Sequence, residues 1–239
     1  QWLGRVGADL GALLREARRT PGIAVRRLEQ GQLLVMTYPW TLIEHNAALL
    51  VQDYARYRDQ PRPPAVLDPS AVFLRHGRRA GGPADGAERG GAVFLGRDSV
   101  VGAHVVFDTG EGPVFVDEGV TIESHCQIKG PAWIGRGSTL WAFTDLKEGC
   151  SLGPSCRVCG QVEEAIFQGY THKFHVGFVG HSYLGEGVNV GDQTVTSNLR
   201  NDRAFVPVQL GVEPPRRVNS GRRYVGSLMG FFWSVIHPI

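Results

Sequence analysis

The sequence shows no apolar stretch long enough to cross a membrane and no recognisable signal peptide, so we expect neither. The apolar end, residues 228–239, has about half of the length that a transmembrane helix needs. A formal net charge of +2 over 239 residues is too small to indicate nucleic acid as the main partner. The 32 glycines and 14 prolines follow no collagen-like period. We therefore expect a turn-rich, folded protein of the cytoplasm that binds neither nucleic acid nor a membrane.

Composition and periodicity divide the sequence into four segments. Residues 1–62 predict helices around a short strand at 33–36, with helical spacing over 3–17. A capping box of Thr41 and Glu44 predicts the start of a second helix. The proline, glycine and arginine of residues 63–92 indicate a linker and an exposed loop. Residues 93–230 are periodic, and residues 231–239 are predicted to form an irregular end.

A period of six residues dominates the third segment. Eight branched aliphatic residues follow one another at this interval: Val116, Ile122, Ile128, Ile134, Leu140, Leu146, Leu152 and Val158. Small or medium residues stand four places after each: Val120, Cys126, Ala132, Ser138, Thr144, Cys150, Cys156 and Val162. The same period begins upstream at Leu95 and resumes downstream at Leu184. It fits neither an amphipathic helix nor a two-faced strand, but it predicts a solenoid whose flat faces each contribute one hexad. The predicted fold class is therefore mainly β, a parallel β-helix with an N-terminal helical segment.

The four cysteines include a C-x-x-C pair, Cys156 and Cys159, which alone would fit a redox pair or half of a zinc site. The hexads favour another role. Cys126, Cys150 and Cys156 all occupy the small inward position, whereas Cys159 follows an aliphatic residue and should point away from the interior. We therefore predict that these cysteines are buried structural residues, and no metal site is predicted.

Four further stretches carry a more specific pattern. They are "YPWTLIEHN" (38–46), "EGPVFVDEGVTIE" (111–123), "SLGPSCRVCGQVEEAIFQGYTHKFHVGFVGHSYLGEGVNVG" (151–191) and "TSNLRND" (196–202). With the hexads, they resemble the bacterial bifunctional N-acetylglucosamine-1-phosphate uridyltransferase/glucosamine-1-phosphate N-acetyltransferase family, in a variant sugar nucleotidyltransferase-like branch. The resemblance implies a left-handed β-helix, an exception to the usual right-handed crossover. It also implies that residues 1–62 are the tail of an N-terminal nucleotidyltransferase-like domain. Only such a domain would require Mg²⁺.

The resemblance implies acetyl transfer from acetyl-CoA to the amine of an amino-sugar 1-phosphate, in nucleotide-sugar biosynthesis. It implies a homotrimer with active sites between neighbouring β-helices. His175 matches the general base, a role that suits an imidazole at neutral pH, and Asn198 matches a second catalytic position. The positions expected to bind the sugar phosphate are Asn189, Lys173, Phe178 and Lys147. The positions expected to contact acetyl-CoA are Gly191, Asp192, Arg200 and Arg203.

Two departures from the family pattern keep other hypotheses open. Phe178 replaces a tyrosine, and Asp192 stands where a small residue lets acetyl-CoA approach. These favour a second hypothesis, a non-catalytic β-helix that trimerises or regulates an attached sugar nucleotidyltransferase. A third hypothesis, a hexapeptide-type metalloenzyme, would need His172, His175 and His181 to converge on zinc. Outside that hypothesis, His172 and His181 are predicted to face solvent.

Overall fold

A computed structural model of the chain describes residues 36–57, 64–75, 78–79, 92–211, 214–230 and 234–235. The chain divides into two units, residues 1–37 and residues 38–239. The predicted helix at 3–17 and residues 33–35 of the predicted strand lie outside the described residues, and Met36 is not in a strand. No helix in the described ranges has both the length and the apolar character to cross a membrane.

The second unit is a three-sided solenoid. Face A consists of β1 (Val66–Leu67), β5 (Val100–Val101), β8 (Thr121–Ile122), β11 (Thr139–Leu140), β14 (Arg157–Val158), β17 (His172–Lys173), β20 (Asn189–Val190) and β24 (Ser234–Val235). Face B consists of β2 (Val72–Arg75), β3 (Arg78–Arg79), β6 (Val106–Asp108), β9 (Gln127–Lys129), β12 (Asp145–Leu146), β15 (Gln161–Glu163) and β18 (Phe178–Gly180). Face C consists of β4 (Val93–Leu95), β7 (Val114–Val116), β10 (Ala132–Ile134), β13 (Cys150–Leu152), β16 (Ile166–Phe167), β19 (Tyr183–Leu184) and β23 (Leu228–Met229). A separate hairpin joins β21 (Pro207–Leu210) to β22 (Arg216–Asn219).

Strand pairing confirms the predicted fold class, a mainly β chain wound as a parallel β-helix. Thr121 pairs with Thr139 and Thr139 with Arg157, so one regular coil takes 18 residues, or three hexads. All eight predicted aliphatic residues are at most 1% exposed, and all eight predicted small residues are at most 2% exposed. Stacked coils therefore bury one continuous aliphatic core, because each coil covers the inward side chains of the next.

One corner between face A and face B is two residues shorter than the neighbouring ones. Four residues, 141–144, join β11 to β12, but only Cys159 and Gly160 join β14 to β15. Val162 consequently pairs with Leu146 and takes the large aliphatic position, not the small one that the hexads predict. We call residues 159–160 the short corner.

The β-helix extends beyond its predicted bounds of 93 and 230. Val66 pairs with Val100 and Val72 with Val106, so the predicted linker at 63–92 already contains the first two strands of a coil. The prolines and arginines of this segment obscured one hexad, in which Leu67 and Phe73 pack against the core. At the other end, β24 pairs with β20 inside the segment predicted to be irregular.

Helix α1 (Pro39–Tyr54) packs on face C. It begins at Pro39 after the N-cap Tyr38, so the predicted capping box at Thr41 is wrong. Proline suits the first helical position because its fixed φ already matches the helix. The Asn46 amide donates a 2.8 Å hydrogen bond to the Gly149 carbonyl and accepts one from Ser151 Oγ at 2.9 Å. The helix therefore belongs to the same unit as the β-helix, although the sequence predicts a boundary after residue 62.

Candidate functional site

His175 lies on a four-residue corner, residues 174–177, between β17 on face A and β18 on face B. We call these residues the His175 corner. The His175 side chain is exposed, and its imidazole makes no hydrogen bond or ion pair within the described ranges. Both ring nitrogens can therefore exchange a proton with a ligand or with water.

Polar side chains on the outside of face A lie beside this corner. Arg157 pairs with His172, and His172 pairs with Asn189, so these three residues stand on successive coils. The Arg157 guanidinium lies over the Phe174 ring, 5.4 Å from its centroid, and the His172 ring lies 5.9 Å from the same ring. A guanidinium, an imidazole and an amide next to His175 are suited to binding phosphate and hydroxyl groups.

Two members of this group, Arg157 and His172, were not among the predicted binding residues. His172 was expected simply to face solvent, but it is half-buried between the strands of Arg157 and Asn189. The irregular coils explain the omission, because Arg157 and His172 are 15 residues apart and His172 and Asn189 are 17 apart, instead of 18. The short corner lies within the first of these two coils. A constant period therefore cannot align them from the sequence alone.

The next corner along the axis carries two of the residues expected to contact acetyl-CoA, Gly191 and Asp192. The Gln193 N–H donates a 3.1 Å hydrogen bond to the Val176 carbonyl, so residues 191–194 stack directly on the His175 corner. Asp192 is exposed. The structure thus brings the positions of His175, Asn189 and Asp192 onto adjacent coils.

Lys173, which was predicted to bind the substrate phosphate, does not reach solvent. It pairs with Val158 in the inward aliphatic position of face A and is 1% exposed. Its Nζ donates hydrogen bonds to the carbonyls of Cys159 at 2.5 Å and His175 at 3.1 Å. Burial lowers the pKa of this amine to about 8. The phosphate-binding role of Lys173 is therefore wrong, because its ammonium is enclosed by the coil.

Asn198, the second predicted catalytic residue, contacts His181 and not His175. Its amide nitrogen lies 2.9 Å from His181 Nδ1, at the opposite end of β18 from the His175 corner. His181 Nε2 lies 3.5 Å from a Glu164 carboxylate oxygen, and its ring stacks on Tyr224 at 5.0 Å between centroids. We call His181, Asn198, Glu164 and Tyr224 the His181 cluster.

The His181 cluster fixes one tautomer of its imidazole. An amide nitrogen can only donate, so Nδ1 must accept from Asn198, and the neutral ring carries its proton on Nε2, which faces Glu164. The His181 side chain is only 14% exposed. The prediction that it faces solvent is therefore wrong, because Tyr224, which forms an isolated antiparallel bridge with Leu199, stacks on its ring.

Phe178 and Lys147 lie on or next to strands of face B. The Asn198 amide stands over Gly180, where an added Cβ would come within 2.7 Å of it and would also collide with the Phe178 ring. Lys147 follows β12 on this face and forms a 2.9 Å ion pair with Asp145. The predicted site residues therefore fall into two groups, one at the His175 corner and one on face B.

Arg200 and Arg203 lie on the loop after Asn198. The Arg200 guanidinium makes two hydrogen bonds to the Asp202 carboxylate, at 2.8 Å and 2.6 Å, and holds the pKa of that carboxyl well below its usual range. This pairing neutralises the charge that was expected to meet a coenzyme A phosphate. Arg203 is exposed.

A cavity of about 390 Å³ borders the His181 cluster. Its walls come from helix α1, from the segment around Arg222 and from the ring of Phe205. Arg222 donates to Glu44 on α1 at 2.7 Å, which ties the helix to the segment after the hairpin. The wall thus combines aromatic rings with both signs of charge.

Cysteine and histidine form no metal-binding group in the described ranges. Cys126, Cys150 and Cys156 are buried, as the hexads predict, and Cys159 is partly exposed. The histidines at positions 172, 175 and 181 do not converge with one another on a metal-binding geometry.

Similarity to curated proteins covers about half of the chain. The chain is 33% identical over 106 residues to the bifunctional protein GlmU of Azorhizobium caulinodans, covering 44% of the chain and 23% of that protein. It is 32% identical over 138 residues to GlmU of Sphingopyxis alaskensis, covering 50% and 30%. It is 33% identical over 126 residues to a bifunctional sugar-1-phosphate nucleotidylyltransferase/acetyltransferase of Sulfurisphaera tokodaii, again covering 50% and 30%.

Over about half of its length, the chain is similar to GlmU and to a GlmU-like bifunctional enzyme. It spans between about a quarter and a third of the length of these GlmU-like relatives. No family model matches the chain. Among solved structures, the chain matches a crystal structure of the UDP-N-acetylglucosamine O-acyltransferase LpxA from Moraxella catarrhalis with 16% sequence identity. The match covers 56% of this chain and 58% of LpxA, and its TM-score of 0.26 is too low to support an argument.

Proposed function

We propose that this chain is an N-acetyltransferase that moves an acetyl group from acetyl-CoA to the amine of an amino-sugar 1-phosphate, with His175 as the general base. The observation that carries the proposal is the exposed, unpaired imidazole of His175 on a coil of a GlmU-like β-helix. The acetyltransferase and sugar-1-phosphate chemistry is drawn from the name of the Sulfurisphaera tokodaii relative.

The reaction assigns a simple task to His175. The substrate ammonium gives a proton to the imidazole, and the resulting amine attacks the thioester carbonyl. A C–N bond forms and the C–S bond breaks. The imidazolium first releases its proton to water; the imidazole then takes the second proton from the attacking nitrogen and passes it to the departing coenzyme A thiolate, which leaves a neutral amide and a thiol. The exposed position of His175 supports this role, because both partners must reach the same ring.

The outer side chains of face A supply the remaining functions of an acceptor site. Arg157 presents a guanidinium that suits the sugar phosphate, and Asn189 presents an exposed amide that suits a hydroxyl group. His172 lies between them. We assign the sugar 1-phosphate to this surface in place of the buried Lys173.

The separation of the two groups of predicted residues supports a homotrimer in which the site is shared. Within one chain, Asn198 contacts His181, and the Phe178 ring lies beside Gly180, at the end of β18 that is opposite the His175 corner. A head-to-tail ring brings two different surfaces of neighbouring copies together. We propose that the His175 corner of one copy meets face B of the next.

Paired substitutions test the proposed base. His175→Ala should abolish acetyl transfer to glucosamine 1-phosphate, measured as release of coenzyme A thiol, while the circular dichroism spectrum stays unchanged. His181→Ala is the matched control, because it removes an imidazole from a different corner. Equal turnover by the wild type and His175→Ala would refute the assignment of the base, and loss only in His181→Ala would transfer the role to the His181 cluster.

Mixing two inactive variants tests the shared site. His175→Ala and Asn198→Ala, co-expressed with different tags and purified as mixed trimers, should recover about a third of wild-type activity, since each mixed trimer has both groups intact at one of its three interfaces. Absence of recovery, with each variant inactive alone, would contradict a site built from two copies.

A second candidate function is a non-catalytic β-helix attached to a nucleotidyltransferase. Asp192 favours it, because an exposed carboxylate on the corner next to His175 repels the phosphates of coenzyme A. Calorimetric titration with acetyl-CoA separates the two candidates. Binding by the wild type supports the transferase, and binding only by Asp192→Ala supports the non-catalytic protein.

A further inference from the structure

Lys173 is the only lysine, arginine, aspartate or glutamate that is buried in the described part of the chain. It stands in an aliphatic position, where β14 provides Val158 and the register of β20 places Val190. A buried ammonium is costly unless its protons are bonded, so its presence requires a reason. The reason lies in the two carbonyls that it holds.

The short corner creates the need for this ammonium. With only two residues between β14 and β15, Cys159 turns its carbonyl toward the interior, where Lys173 Nζ meets it at 2.5 Å. Gly160 leaves room for the side chain, because an added Cβ would lie only 3.0 Å from Nζ. The second bond, at 3.1 Å, goes to the carbonyl of His175 on the next coil. One buried group therefore links the short corner to the His175 corner.

We propose that Lys173 is the positioning residue that holds the His175 corner in the geometry needed by its imidazole. The proposal rests on the proposed function of His175. Lys173 fixes the backbone of the residue whose side chain must meet two substrates, and it does so from inside the coil, without touching either of them. Its loss leaves the His175 carbonyl without its cationic donor, because the described residues supply no other bond to that carbonyl.

Asp192 supports the same arrangement. It lies on the corner that stacks on the His175 corner, and its charge acts on the Lys173 ammonium through the coil. This attraction favours the protonated amine, but burial has the larger effect and lowers its pKa.

The test compares Lys173→Met with Lys129→Met in the full chain. Methionine matches the length of lysine and suits an aliphatic position, and Lys129 on β9 serves as the control because it lies on another coil, away from the His175 corner. Two amides report on the His175 corner, since Gln161 N–H bonds to the Gly177 carbonyl and Gln193 N–H bonds to the Val176 carbonyl. We expect Lys173→Met to speed hydrogen exchange at both amides by about tenfold or more. The amide of Thr139, which bonds to Cys156, should keep its exchange rate.

Two further readouts separate positioning from a purely structural role. The His175 Hε1 resonance, assigned with His175→Ala, should shift in Lys173→Met and stay in place in Lys129→Met. If the wild type transfers acetyl groups, Lys173→Met should lower kcat at least tenfold with KM changed less than twofold. Unchanged exchange and an unchanged Hε1 resonance would overturn the proposal.

Lys173→Gln covers the case in which the methionine variant fails to fold. Its amide retains a donor, so exchange at Gln161 and Gln193 should fall between the wild type and a fully released corner. Wild-type exchange in the glutamine variant, whose shorter side chain cannot reach both carbonyls, would also overturn the proposal. Exchange and resonance data are read without substrate, so an inactive wild type would refute the proposed function and leave the result for Lys173 intact.

Discussion

The buried amine of Lys173 makes the stability of the fold depend on pH in a predictable direction. Its pKa is about 8 in the folded chain, against 10.5 for an exposed lysine. Between these values the unfolded chain binds more protons than the folded chain, so the free energy of unfolding rises with pH across this window. The difference of about 2.5 pKa units corresponds to about 3 kcal/mol at 1.36 kcal/mol per unit.

The measurement compares the wild type with Lys173→Met by guanidinium denaturation at several pH values from 7.5 to about 10.5. Burial raises the pKa of the thiols of Cys126, Cys150 and Cys156, which lowers stability above pH 9, but these thiols act equally in both proteins and cancel in the difference. From pH 8 to 10.5, we expect the free energy of unfolding of the wild type to rise by about 3 kcal/mol relative to that of the variant. A difference that stays constant within about 0.5 kcal/mol over this range would refute a buried, titrating Lys173.

Three further predictions concern the core and the short corner. Leu140→Ala should lower the free energy of unfolding by about 2–5 kcal/mol, because the side chain is fully buried in the aliphatic core; a loss below 1 kcal/mol in guanidinium denaturation would contradict this. Cys159 should react with a thiol reagent before the other cysteines of the folded chain, because it alone is partly exposed. Burial raises the pKa of Cys150 to about 12 and that of Cys156 to about 11. Equal reaction rates for all four thiols would contradict this prediction. Gly160→Ala should lower the melting temperature more than Gly119→Ala. Both positions have positive φ, but only at Gly160 does a backbone atom, the Gly177 carbonyl oxygen, lie 2.8 Å from the added Cβ. Equal losses of melting temperature would show that this contact does not matter.

The repeat was predictable because side-chain type and position repeat together. Every aliphatic residue from Val116 to Val158 has the same neighbours one coil away, so a fixed period identifies the fold, the buried set and the inward thiols. The first coil escaped prediction because its hexad, Leu67 and Phe73, lies among prolines and arginines that usually indicate a loop.

The candidate site was predictable only in part. The exposed position of His175 agrees with a role that the family resemblance implies, but the partners of that residue depend on the irregular coil. The sequence gives no sign that a lysine takes an aliphatic position inside the coil. It therefore predicts that the Lys173 side chain lies in solvent. Likewise, Asn198 and His181 are 17 residues apart, and their contact depends on a loop with no period.

The short corner shows how a repetitive core tolerates local change. Trp141 and Phe174 belong to coils on either side of it, yet their rings meet at 4.5 Å, so the side chains close the gap that the missing residues leave. Because each coil contacts only its neighbours, the loss is absorbed within one coil and the strands after it resume parallel pairing. A solenoid can therefore acquire new chemistry by insertion or deletion at a single corner, whereas the same change in a protein with one shared core would disturb every packed layer. In this chain, the altered corner is the one whose backbone carbonyl the buried Lys173 binds.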